Sequence, residues 1–97
     1  MDDDYEWDAD KAEGNLARHG VPFDAVRRFR WAGRVEGEDR RYDYGEARFV
    51  AFGLIGDRVH TLVYTLRENG NVRVISLRKA NAREVRRYVE RKSTEAP

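Results

Sequence analysis

The sequence predicts a single α+β domain with two N-terminal helices, an antiparallel meander of three to four strands and a C-terminal amphipathic helix. Three observations carry this reading. Residues 46–78 form three strand-like runs separated by the turn dipeptides Gly56-Asp57 and Asn69-Gly70. Cap residues bracket a helix at 9–19 and open another at Asn81. A chain of 97 residues without internal repeats can build only one modest core.

Asp8 suits the N-cap of the first helix, with Trp7 placed to staple onto Ala12 and Asp10 in the first turn, where the helix dipole favours an acid. Ala9, Ala12 and Leu16 form its apolar side. Gly20 offers a left-handed position after His19, and Pro22 stops the helix. Pro22 also suits the first turn of a second helix, in which Phe23, Val26 and Phe29 recur at helical spacing and which Gly33 ends. Polar residues then dominate, giving a short edge strand at 34–36 and a charged loop at 36–45. Strands follow at about 46–55, 58–67 and 72–78. Asn81 caps the last helix with Glu84 three residues on, a capping-box variant. Ala82, Val85, Tyr88 and Val89 form its apolar stripe, while Arg83, Arg86, Arg87 and Arg91 spread over the opposite side. Residues 1–4 and 93–97 are expected to fray.

Two-residue loops fix the strand register, because residues flanking each turn pair and pairing continues outward. Glu46 then lies opposite Arg67, Arg48 opposite Thr65 and Val74, Val50 opposite Val63 and Ser76, and Phe52 opposite Thr61 and Arg78. These share one mixed face. The other face carries Ala47, Phe49, Ala51, Leu62, Tyr64, Leu66, Ile75 and Leu77, with His60 and Arg73 toward its edges. Being almost wholly apolar, it should take the helices.

Composition excludes several functions. Cysteine is absent, which removes disulfides, thiol nucleophiles and thiolate zinc sites and fits a reducing compartment. The longest near-continuous apolar run, 49–56, is too short to cross a bilayer, and the acidic N-terminus is unlike a signal peptide, so a soluble cytoplasmic protein without membrane association is expected. His19 and His60 show no metal-ligand spacing and no nucleotide-binding glycine motif occurs, so no metal and no cofactor are expected. Net charge is only +1, yet residues 1–24 carry eight acids against two bases and residues 58–92 ten bases against three acids. The basic part could attract a polyanion.

The mixed sheet face holds the chemistry. One reading is an ordinary solvated surface with a Glu46–Arg67 cross-strand ion pair. Against it, Arg48, Arg67 and Arg78 exceed what Glu46 can neutralise, and Ser76 lies among them. Guanidinium forks bind phosphate oxygens bidentately, so such a set suits a phosphate whose charge grows in a transition state. His19 reads equally as a helix-terminal residue interacting with the dipole or as a catalytic group. His60 reads as a strand-end residue, and the basic last helix as a solvated surface or a nucleic-acid face.

Trp7-Asp8, Lys11, Asn15, His19-Gly20-Val21, Phe23, Glu46, Arg48, Tyr64-Thr65, Arg67 and Arg73-Val74-Ile75-Ser76-Leu77-Arg78 together resemble the BrnT family, in order and spacing, over residues 5–90. Arg18 and Leu77 stand where many members have Lys and Ala. The resemblance implies a RelE-like fold and a metal-independent endoribonuclease toxin that arrests growth. It also implies a ribbon-helix-helix antitoxin, a hetero-oligomer such as a dimer of heterodimers, and DNA contact only through that complex. Glu46, Arg48, Thr65, Arg67, Ser76 and Arg78 are its motif residues, and they fall on the face that the register singles out.

The expected reaction is attack of a ribose 2′-OH on the neighbouring phosphate. Arg48, Arg67 and Arg78 would bind that phosphate, while Glu46, His19 or Lys11 shuttle protons, since arginine does not deprotonate near neutral pH. Thr65, Ser76 and Tyr64 would contact the substrate, while Arg73, at the rim of the core face, would be structural or would contact RNA or the antitoxin at the sheet edge. The alternative is a non-catalytic binding module that acts through its partner on DNA; a purely structural partner protein is a third reading.

Overall fold

A computed structural model describes residues 4–95, and its first helix begins and ends where cap chemistry requires. The Asp8 carboxylate accepts the Lys11 backbone N–H at 3.0 Å, and Gly20, at φ 71°, donates its N–H to the Leu16 carbonyl at 2.8 Å. Helix α1 is therefore Ala9–His19. The second helix is shorter than expected. Phe23–Arg28 is a 3-10 turn, closed by the Phe29 N–H on the Val26 carbonyl at 3.0 Å. Residues three apart eclipse in that geometry, so Phe23, Val26 and Phe29 all point into the core. The Arg30 N–H then bonds the Leu54 carbonyl at 2.9 Å and pulls the chain out of helix before Gly33.

The sheet has five strands, β1 (Tyr5–Glu6), β2 (Val35–Asp39), β3 (Arg48–Ile55), β4 (Arg58–Leu66) and β5 (Val72–Lys79), in the order β1-β5-β4-β3-β2. β2 to β5 form the expected antiparallel meander. β1 was not expected. It runs parallel to β5, so the sheet is mixed; two residues are too few to show alternation in sequence. β2 reaches Asp39, three residues beyond the expected edge strand, and β3 begins at Arg48 rather than residue 46.

The apolar face buries Ala51, Leu62 and Leu77 against Val26, Phe23 and Phe29, and a fully buried Leu or Phe is worth roughly 1.5–3 kcal/mol. Gly53 leaves room for Phe29: a Cβ there would stand 2.6 Å from the ring. Trp31 packs edge-on between Phe29 and Tyr64, each at 5.1 Å, and donates its indole N–H to the Tyr5 hydroxyl at 2.7 Å. Asn15 docks α1. Its amide donates to the Leu77 carbonyl at 2.7 Å and accepts the Leu77 N–H at 3.3 Å, taking the place of a strand on the edge that β1 leaves uncovered.

The β3–β4 register is the expected one, through the two-residue Gly56-Asp57 loop. The β4–β5 register differs. Asn69 does not adopt positive φ; Gly70, at φ 87°, does, and the Gly70 N–H on the Arg67 carbonyl with the Arg67 N–H on the Asn71 carbonyl makes a three-residue loop. Thr65 consequently pairs with Arg73 and Tyr64 with Val74. A bulge at Ile75 then absorbs the slip, so Val63–Ser76 and Thr61–Arg78 pair as expected. Val74, not Ile75, enters the core, and Arg73 turns to the polar face.

Helix α2 (Ala82–Glu95) does not join α1 on the apolar face. Asn81 and Glu84 exchange side chain-to-backbone hydrogen bonds at 2.9 Å, completing the capping box. Glu84 also accepts the Thr61 hydroxyl at 3.0 Å and two Arg78 N–H groups at 2.8 Å each, which fastens the start of α2 to the polar face. At its other end Lys92 donates to the Gly33 carbonyl at 2.9 Å. The tail expected to fray from residue 93 instead continues the helix to Glu95, while residues 1–3 and 96–97 of the expected frayed ends lie outside the described residues.

Candidate functional site

Strand pairing arranges the polar face in rows about 6–7 Å apart along the strands. The first row is Val35, Phe52, Thr61 and Arg78, the row that α2 crosses. The second is Gly37, Val50, Val63 and Ser76, and its first three residues line an open cleft of about 930 Å³ between β2 and α2. The third begins with Asp39 opposite Arg48 and ends with Thr65 opposite Arg73 and Arg73 beside Glu6. The Thr65 hydroxyl donates to the Ala47 carbonyl at 2.6 Å and ties the two halves together. Glu46 and Arg67 continue the face beyond β3 and β4.

The arginines do not gather around Glu46. Glu46 stands 3.8 Å from Arg48 Nε, too far for a hydrogen bond, and that buried nitrogen has no hydrogen-bond partner. The Arg48 guanidinium lies over the Tyr44 ring at 4.1 Å. Arg67 pairs with Glu6 at 3.2 Å rather than with Glu46, and Arg73 reaches the same Glu6 oxygen at 3.5 Å. One carboxylate thus serves two guanidinium groups. Arg78, in contrast, is saturated by Glu84: the paired hydrogen bonds raise its pKa and hold the Glu84 carboxyl down at about 2.

With this geometry established, the relatives of the chain decide its family. A family model described as the ribonuclease toxin BrnT of type II toxin–antitoxin systems matches residues 7–84. The chain belongs to the BrnT family. The 1.1 Å crystal structure of the Brucella abortus ribonuclease toxin BrnT has the same fold, at TM-score 0.62 and 22% identity over 77% of this chain and 92% of that one. No curated protein sequence matches the chain.

In this BrnT chain the structure unites Glu46, Arg48, Thr65, Arg67 and Arg73 on the open half of the face, with Ser76 one row away and Arg78 under α2. Arg73 is therefore better placed than sequence allowed. Tyr64 is not on that face. It is 3% exposed in the core, its hydroxyl donates to Glu36 at 2.5 Å, and burial pushes its pKa up to about 12, so it cannot contact RNA there. Lys11 and His19 are exposed on α1, one turn before and after Asn15, and so flank the β5 edge rather than Glu46. His60 is buried; its ring nitrogen meets the Arg58 carbonyl at 2.9 Å and burial lowers its pKa. Among the described residues no three His, Cys, Asp or Glu side chains cluster as metal ligands, and no helix is long and apolar enough to span a membrane.

Sequence reasoning missed Glu6, Asp39, Tyr44 and the outward role of Glu84. The Asn81–Glu84 spacing already signalled a cap, but nothing local showed that the same carboxylate would reach Arg78 across the fold.

Proposed function

We propose that this chain cleaves RNA without a metal ion, by attack of a ribose 2′-OH on the adjacent phosphate, and that the open arginine half of the face is where it does so. The carrying observation is that Glu6 is shared by Arg67 and Arg73 while Arg48 Nε has no acceptor. Arg48 Nε gives up no hydrogen bond in turning to a phosphate, and a phosphate beside Arg67 and Arg73 competes with one carboxylate rather than two. Arg48, Arg67 and Arg73 bind the phosphate and offset its growing charge. Glu46, exposed beside Arg48, takes the 2′-OH proton. Thr65 holds the strand ends in place through Ala47, and Ser76 borders the phosphate site. Lys11 and His19, at the β5 edge, serve a more distant phosphate of the same strand. Arg78 meets RNA only by exchanging the Glu84 carboxylate for a phosphate, one bidentate acceptor for another.

The fold reads as RelE-like and the setting as cytoplasmic. The antitoxin reads as a ribbon-helix-helix protein that covers the arginine face within a hetero-oligomer, such as a dimer of heterodimers, and that carries the DNA contact. Purified protein incubated with RNA in excess chelator should yield fragments ending in cyclic phosphate. The Arg48→Ala variant, with an unchanged circular dichroism spectrum, should lose at least 100-fold in cleavage rate, as when one charge-stabilising donor is removed from an active site. Intact RNA with the wild-type protein, or full activity of the variant, rejects the assignment.

A further inference from the structure

The loop between β2 and β3, residues 40–47, carries Arg40 and Arg41 followed by Tyr42 and Tyr44, and a chain of contacts links these side chains to the sheet. Asp39 is the anchor. Its carboxylate accepts Arg41 Nε and a terminal Arg41 nitrogen at 3.0 Å each and the Tyr44 hydroxyl at 2.9 Å. Tyr44 in turn carries the Arg48 guanidinium on its face at 4.1 Å. Tyr42 packs edge-on against Tyr44, with centroids 5.8 Å apart and an interplanar angle of 72°, and the Arg41 guanidinium lies 5.8 Å from the Tyr42 ring. Yet Tyr42 is 68% exposed. A large aromatic ring held this far into solvent buries little apolar surface, so stability does not account for its placement.

Aromatic rings beside guanidinium groups are what single-stranded nucleic acid stacks on, because every base has a π-face and the neighbouring cations attract its backbone. We infer that Tyr42 is a stacking platform for one RNA base, reached from the phosphate site through the single intervening ring of Tyr44. This rests on the RNA-cleaving reading above and gives it a base subsite: Arg48 holds the phosphate, and the adjoining unpaired nucleotide lays its base on Tyr42. Duplex RNA, whose bases are stacked on one another, cannot use the platform, so the substrate is single-stranded at the cut.

The test uses the full-length chain and an uncleavable 2′-O-methyl oligoribonucleotide of mixed sequence, with binding followed by fluorescence anisotropy. Tyr42→Ala should weaken binding roughly 10-fold, within the range that base–aromatic stacking provides, while Tyr42→Phe, which keeps the ring, should bind as wild type. An oligonucleotide with abasic sites should bind wild type and Tyr42→Ala equally, because the base that distinguishes them is gone. Equal binding of the intact oligonucleotide by wild type and Tyr42→Ala overturns the platform. If Arg48→Ala still lowers affinity in that case, the phosphate site survives and the platform alone fails. If wild type binds no RNA at all, both fail together.

Discussion

Glu84 shows how much one side chain can be asked to do. Its carboxylate caps α2, accepts the Thr61 hydroxyl and neutralises Arg78, and these hydrogen bonds hold its pKa at about 2 against an ordinary 4.5. A carboxyl with a depressed folded-state pKa contributes stability that is complete above its unfolded pKa and is lost as pH falls through the folded one. The stability of the chain should therefore decline between about pH 4.5 and 2, and in Glu84→Gln that part of the decline should be absent from denaturant midpoints measured across the range. At pH 7, Glu84→Ala should cost about 2 kcal/mol, from the lost cap and the charge left on a half-buried Arg78. Arg78→Ala should lower stability as well, which distinguishes it from Arg48→Ala. Sequence placed Glu84 in a capping box by its three-residue spacing from Asn81, but its reach to Arg78 depends on where α2 lies.

At the scale of elements, α1 and α2 reach opposite faces for chemical reasons. α1 is held by an amide that imitates a strand: Asn15 is 1% exposed and bonds both backbone groups of Leu77 and the Val21 carbonyl, the last at 3.0 Å. Asn15→Ala strands these groups in the interior, and unsatisfied buried polar groups cost about 1–3 kcal/mol each. The variant should lose roughly 3 kcal/mol by chemical denaturation, and the Leu77 amide should exchange much faster in hydrogen-exchange measurements. A Leu77 amide as protected as in wild type contradicts the docking role. The β4–β5 hairpin also belongs to this scale. Asn69-Gly70 suggested a two-residue turn, whereas Gly70 alone takes positive φ and the loop has three residues. The Ile75 bulge restores the pairing beyond it, so two local departures cancel at Ser76 and Arg78 but invert the faces of Arg73 and Val74.

For the whole molecule, the open half of the polar face holds Arg67 and Arg73 on the shared Glu6 and Arg48 over Tyr44, while α2 covers the other half. A toxin–antitoxin family implies a partner protein, and one that covers this half must bring acidic groups or leave desolvated arginines unpaired. Association with the cognate antitoxin should weaken and its on-rate fall as salt rises from 50 to 500 mM, by about 10-fold or more, in surface plasmon resonance; salt-independent binding contradicts an arginine-centred interface. The sequence by itself determined the caps of both helices, the three long strands, the β3–β4 register and the family, because these rest on local spacing and turn chemistry. Tertiary structure alone decided that β1 joins the sheet, that residues 23–28 tighten into a 3-10 turn, that Val74 is core and Arg73 is not, that Glu84 claims Arg78, and that Tyr42 stands out against Tyr44. Each depends on a partner distant in the chain or on a one-residue slip in pairing, and a slip of one residue exchanges the two faces of a strand.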